Sequence, residues 1–360
     1  GSSSKAQVAR ATGLTAQTVG TIIGELEQSK LIHRAAHIKG KVGQPSIPFE
    51  INPDGARAIG VHIGRRSTEM LLTNLTGSVI ARMSTRYSYP DPDELIEFVS
   101  KTKRQWARRQ VMKSTPLIGV GICKPSAIGG WQEKLGAPTE LVERWNNLDF
   151  EGLLDSSLGQ ASVFCNDASA ACAAELLFGN SAQYPNHLYI YCGSFVGGGL
   201  VIEGNPHLGR TGNAAAVGSL PMHPNSKAQL IDRASLIELE TGLVQAGLSP
   251  TTLWETEKAW REHQTIVMQW IRSAAPALAF AGLSASALLE LDAVVIDGAF
   301  PRWVRSELVA AIKESSKELN SEGVETPMYV HGNIGLDARG LGSAALPLLA
   351  AGAIALLTVG

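Results

Sequence analysis

Apolar positions in the first 54 residues recur at helical spacing and then give way to short extended runs. Val8 and Ala11 mark a short helix, and Gly13 suits a tight turn. Thr15 is a good N-cap for a second helix, in which Val19, Ile22, Ile23 and Leu26 share a face. Helix, glycine turn and capped helix form the helix-turn-helix pattern. In that geometry the start of the second helix enters the major groove, so Thr15, Ala16, Gln17, Thr18 and Thr21 are candidate DNA contacts. Glutamine pairs with adenine edges, and threonine serves phosphate or a thymine methyl. The following stretch, LIHRAAHIKGKVGQPSIPFEI, has two apolar runs around a basic Gly/Pro tip. It reads as a β-wing, with Lys39 and Lys41 placed for phosphates. A helical hairpin used for dimerisation shares the two-helix pattern, but cap, turn, wing and local charge agree on DNA. A winged helix ordinarily carries another helix before such a pair, so residue 1 is expected to fall inside that module.

From residue 55 strands and helices alternate, which predicts an α/β architecture in two lobes. Strands are expected over Arg57–Gly64, Glu69–Asn74 and Val79–Thr85, then a helix over Asp93–Met112 with Leu95, Ile96, Val99 and Trp106 inward. The opposite face of that helix, with Lys101, Lys103, Arg104, Arg108 and Arg109, reads as a solvated surface. Buried strands follow at Leu117–Cys123 and Ser162–Cys165, then an alanine-rich helix at Ala168–Phe178. Leu188–Ser219 predicts a glycine-rich hairpin and loop, whose glycines let backbone amides approach a ligand. Helices around Lys227–Glu240, Leu253–Arg261 and Ile266–Leu289, a strand at Ala293–Ile296 and a helix at Leu341–Val359 complete the pattern.

The net charge of -2 carries no global basic bias, so nucleic-acid contact is expected to be local. Residues 1–50 supply it: Lys5, Arg10, Lys30, Arg34, Lys39 and Lys41 stand against Glu25, Glu27 and Glu50. Cys123, Cys165, Cys172 and Cys192 lack CxxC spacing and read as buried thiols of a cytoplasmic protein. The apolar run Ala344–Val359 contains Pro347 and is shorter than the roughly 20 residues of a membrane span. No membrane association is expected.

Several segments in chain order resemble the ROK family of repressors, open reading frames and sugar kinases. They are the N-terminal winged helix, the Gly60–Gly64 strand-turn, Cys165-Asn166-Asp167-Ala168, the Gly193–Gly218 ladder, Val295-Ile296-Asp297-Gly298 and Leu341-Gly342-Ser343-Ala344-Ala345. The resemblance implies a two-lobed actin-like ATPase (ribonuclease H-like) fold, preceded by a winged helix-turn-helix. Expected boundaries are 1–54 for the DNA-binding domain, 55–166 with 340–360 for lobe I, and 167–339 for lobe II.

The kinases of this family place Asp-x-Gly-Gly-Thr after the first strand, to manage Mg-ATP phosphates. The matching positions here are His62, Ile63, Gly64, Arg65 and Arg66, and an imidazole does not replace a metal-orienting acid. The family's Glu-Asn-Asp-Ala motif matches Cys165-Asn166-Asp167-Ala168, and the resemblance gives Asp167 the general-base position and Asn166 sugar hydroxyls. The same Asn-Asp pair is also an ordinary helix cap. The Gly-Thr-Gly turn has become Gly193-Ser194-Phe195, and the sugar-binding glutamate and histidine positions fall on Ala216 and Ser219. A further family glutamate falls on Ile231, beside Asp232, and the cysteine-rich zinc loop is missing between His223 and Lys227. Each buried sugar hydroxyl left unpaired costs about 1–3 kcal/mol. The resemblance, with these departures, therefore implies no kinase activity, no metal and no cofactor, with a sugar kinase carrying a DNA-binding appendage and a non-catalytic interaction protein as the alternatives. It implies a transcriptional regulator that binds operator DNA as a homodimer or homotetramer. A carbohydrate or related small molecule in the interlobe cleft is its expected effector, met by Asn166, Asp167 and Ser194.

Overall fold

In the computed structural model, which describes residues 2–35, 47–109, 112, 115–126, 137–225, 227–254 and 256–350, Ser4 opens helix α1 (Lys5–Thr12). The Ser4 N–H donates to Gln7 Oε1 at 2.7 Å, and the Gln7 N–H donates back to Ser4 Oγ. The helix stops at Gly13, which is left-handed, and α2 (Ala16–Gln28) starts from Thr15, whose hydroxyl accepts the Thr18 N–H at 3.2 Å. β1 (Ile32–Arg34) and β2 (Phe49–Ile51) pair antiparallel. Val19, Ile23, Ile32 and Phe49 form a small core joined by Val8, Ala9 and Leu26. The inward face of α1 thus uses Ala9, whereas Ala11 is exposed and Ile22 only half-buried. The basic tip expected between β1 and β2, with Lys39 and Lys41, lies outside the described residues.

The chain divides into two compact units, residues 1–167 with 340–360 and residues 168–339, and the winged segment falls in the first. The first unit is built on β3 (Arg57–Ile63), β4 (Ser67–Asn74), β5 (Val79–Arg86), β6 (Leu117–Lys124) and β7 (Val163–Asn166). The sheet order is β5-β4-β3-β6-β7, with β3, β6 and β7 parallel and the other pairs antiparallel. Alternation along the strands sends Ile59, Val61, Ile63, Met70, Leu72, Val120 and Ile122 to one face. There they meet α3 (Pro92–Ala107), α4 (Thr139–Asn147) and α5 (Phe150–Leu158). Helix α3 ends at Ala107, five residues short of the expected Met112.

The second unit takes α6 (Asp167–Phe178) from its second residue onward and continues through β8 (His187–Cys192), β9 (Val196–Ile202) and β10 (Asn205–Pro206). Helices α7 (Ile231–Ala234), α8 (Leu236–Gln245), α9 (Glu257–Glu262) and α10 (Gln264–Leu289) follow. β11 (Ala293–Gly298), α11 (Arg302–Lys317) and β12 (Met328–His331) complete it. The sheet order is β10-β9-β8-β11-β12, with β8, β11 and β12 parallel. Helix α10 is long and apolar enough to cross a membrane, but its Trp270, Ile271, Ala274 and Leu278 are buried and it packs on α11.

Helix α12 (Ala338–Ala350) returns to the first unit and lies on the other face of its sheet. Gly60 and Gly121 make that approach possible. A Cβ on Gly60 would stand 2.4 Å from the Gly340 carbonyl oxygen, and one on Gly121 1.9 Å from that of Ser343. Cys123, on the same face, accepts the Ser343 hydroxyl at 2.9 Å. Five elements go beyond the sequence expectation: α4, α5, β10, α11 and β12.

Candidate functional site

The exposed face of α2 carries Ala16, Gln17, Thr18 and Thr21, while Val19 and Ile23 anchor the opposite side, 1% and 3% exposed. The face is small and neutral, and Thr15 and Thr18 hydroxyls lie 2.9 Å apart at its start. No lysine or arginine falls on α2; Lys5 and Arg10 come from α1. Arg34, counted in the basic excess, is held by Glu27 at 2.8 Å, a pairing of two charges already balanced in that count. Thr15→Ala is expected to destabilise α2 by about 1 kcal/mol, through loss of the cap. A thermal melt followed by circular dichroism checks this, and an unchanged midpoint would contradict it.

In the first unit, the carboxyl ends of β3, β6 and β7 bring candidate residues into one row. His62 pairs in register with Cys123, and Cys123 with Cys165; Lys124 pairs with Asn166. Open α/β sheets bind ligands at such strand ends. Asn166 is half-buried and donates through Nδ2 to Ser126 Oγ at 2.8 Å. Asp167, also half-buried, is the first residue of α6. His62 is buried, Arg65 half-buried and Arg66 exposed. The turn they flank is pinned by Tyr87, whose hydroxyl donates to the Gly64 carbonyl at 2.7 Å. Lys124 makes an ion pair with Glu151 at 3.3 Å. Sequence reasoning passed over Lys124 and Ser126. Cys165 is half-buried rather than buried, unlike Cys123, Cys172 and Cys192.

In the second unit, Gly193-Ser194-Phe195 forms the turn between β8 and β9. Its carbonyls are occupied: Leu236 N–H donates to Gly193 at 2.9 Å and Ile237 N–H to Ser194 at 3.3 Å. Ser235 Oγ accepts the Val196 N–H at 3.0 Å. The first N–H groups of α8, which elsewhere meet anions, here serve the turn. The Ser194 side chain is half-buried, and Arg339 lies 4.9 Å from the Tyr191 ring centre nearby. Ala216 and Ser219 are exposed. Ile231 is buried, and Asp232 accepts the Gln229 N–H at 2.9 Å. His207 and His223 are exposed loop residues, and no cluster of three metal-binding side chains occurs among the described residues.

Beneath the strand ends of the second unit lies a buried charged cluster. Asp297, at 0% exposure, takes Arg305 at 3.0 Å, the Tyr189 hydroxyl at 3.1 Å, and the N–H groups of Gly298 and Gly335. Burial pushes the Asp297 carboxyl up, against the pull of Arg305. Glu175, equally buried, is pushed up by burial and by neighbouring Asp297. The signal for Glu175 was present in the sequence, as the one charge past the first turn of an alanine-rich helix.

The ROK family model matches residues 58–346. An uncharacterized protein, y4fQ of Sinorhizobium fredii, is 26% identical over 346 residues, 96% of this chain and 86% of that protein. The xylose repressor of Bacillus spizizenii is 22% identical over 222 residues, 62% of this chain, which spans 57% of that repressor's length. A crystal structure of a ROK family transcriptional regulator, a homolog of the E. coli MLC protein, superposes with a TM-score of 0.69 at 20% identity, covering 99% of this chain and 94% of the other. That likeness carries the fold: an actin-like body behind a winged helix. With a family match across most of its length, the chain belongs to the ROK family.

Proposed function

We propose that this chain is a transcriptional regulator that binds operator DNA through α2 and answers to a carbohydrate or related small molecule. The observation that carries the first part is the exposed Ala16–Thr21 face of a Thr15-capped helix, backed by a core of Val19, Ile23, Ile32 and Phe49. Similarity to a protein named xylose repressor supports it. Lys39 and Lys41 are assigned to phosphates. Asn166 and Asp167, at the strand ends of the first unit, are assigned to the effector, and Ser194 in the second unit is the further candidate. We assign the protein a cytoplasmic, homo-oligomeric form.

A sugar kinase is the competing reading, favoured by Asp167 at the general-base position. Against it stand His62 where Mg-ATP needs an acid, and exposed Ala216 and Ser219 where sugar hydroxyls need partners. An ATP-coupled turnover screen over hexoses, run beside gel shifts on fragments from upstream of the gene, separates the two. We expect retarded DNA and no turnover; sugar phosphorylation abolished by Asp167→Asn would overturn the regulator reading.

A further inference from the structure

We propose that Glu175 is a positioning residue that ties the C-terminal end of α6 to the segment 332–335 leading into α12, so that a displacement of that segment is transmitted to the end of α6. The chain passes between its compact units at 167/168 and 339/340. Each passage lies in the first turn of a helix, α6 from Asp167 and α12 from Ala338. Glu175 stands two turns into α6. Its Oε1 accepts the Asn180 N–H at 3.0 Å, just past the end of that helix. Its Oε2 accepts the N–H groups of Asn333 at 2.8 Å and Ile334 at 3.2 Å, in the segment leading into α12. One carboxylate therefore satisfies donors from both segments.

The segment 332–335 is held to buried ionisable groups residue by residue. Arg305 Nη1 donates to the Gly332 carbonyl. Asn333 and Ile334 donate to Glu175, and Gly335 to Asp297 at 2.9 Å. Consecutive N–H groups directed at an anion form a nest, the backbone arrangement that proteins use to bind phosphates. Here the anions are the protein's own. The turns of α6 before Glu175 are mostly small and buried, with Ala168, Ala170, Ala171, Ala173 and Ala174, so a charge there is not needed for packing. A buried carboxylate without donors is strongly disfavoured. When Asn333 and Ile334 are displaced, the buried carboxylate follows its donors, and the shift draws Oε1 away from the Asn180 N–H.

Hydrogen exchange with mass spectrometry on the full chain tests this independently of any DNA or effector. Gly335→Ala strains the 332–335 segment, since Gly335 sits at φ +71 and its Cβ would stand 2.6 Å from Arg305 Nη2, without contacting α6. Rates are read relative to the Ile190 amide in β8. We expect Gly335→Ala to accelerate exchange at 333–335 and, by about fivefold or more, at Asn180. In Glu175→Gln, whose amide offers a single acceptor oxygen, Gly335→Ala should accelerate 333–335 alone. Unchanged exchange at Asn180 in the single variant, or equal acceleration there with and without Glu175, would overturn the proposal. Should Gly335→Ala not fold, Arg305→Lys, which withdraws the donor to Gly332, is read the same way.

Discussion

Gly121→Val is expected to destabilise the first unit by about 3 kcal/mol or more, although valine is the better strand residue. Intrinsic strand preference favours the substitution by at most about 1 kcal/mol. Against it stands the backbone of α12: the new Cβ would sit 1.9 Å from the Ser343 carbonyl oxygen and 3.0 Å from Leu346 Cβ. Backbone does not swing aside as a side-chain tip does, so the helix must lift from β3 and β6. Lifting it exposes Ala344 and Ala345 and breaks the Ser343 hydroxyl's bond to Cys123. Chemical denaturation followed by the fluorescence of buried Trp106 and Trp145 reads the loss. A midpoint within error of wild type would show that α12 does not lie on this sheet face.

Arg305→Met is expected to destabilise the second unit by about 3–5 kcal/mol, because it leaves Asp297 buried beside Glu175 with no cation. Methionine fills much of the arginine volume, so packing contributes little to the loss. The sign of the pH dependence follows from the raised carboxyls. Groups whose pKa is raised on folding bind more protons in the native state. Their stability contribution is fully present below the ordinary carboxylate range and is lost as pH rises through the folded value. Without Arg305 both carboxyls rise further, so the decline should extend to higher pH than in wild type. Melting midpoints across mildly acidic to neutral pH check this. Parallel pH profiles for the two proteins would contradict the charge cluster.

How much of this fold was legible depended on how local each cause is. The Thr15 cap and the Gly13 turn act within four residues, and so did the periodicity of Val19, Ile23 and Leu26. Strands β3, β4 and β6 show in their apolar runs because one face meets three helices and the other meets α12. The short strand β12 has four residues and an exposed Met328, too little pattern to distinguish it from loop. Helix α1 has eight residues, and nothing in so short a segment decides whether Ala9 or Ala11 turns inward. The clamp around Glu175 was beyond reach for a different reason. Its donors Asn333 and Ile334 lie 158 and 159 residues away in sequence, and only the folded chain brings them together. Among the candidate residues, the exposure of Gln17, Thr18 and Thr21 follows from helical spacing. The Ser126 partner of Asn166 does not, because it arrives from a different strand end, 40 residues away.

The most direct measurement of regulator function is the salt dependence of operator affinity by fluorescence anisotropy, for wild type and for Thr21→Glu. Thr21 is exposed on α2, and its hydroxyl bonds only back to the Gln17 carbonyl among the described contacts. The substitution therefore leaves the core of Val19 and Ile23 intact while placing a negative charge toward the groove. For wild type we expect affinity to fall steeply as salt rises, through displaced counterions, with preference for one fragment over random sequence. For Thr21→Glu we expect a loss of about 10-fold or more on that fragment with an unchanged melting midpoint. Equal binding by the two proteins, or wild-type binding that is insensitive to both salt and sequence, would contradict DNA recognition by this helix.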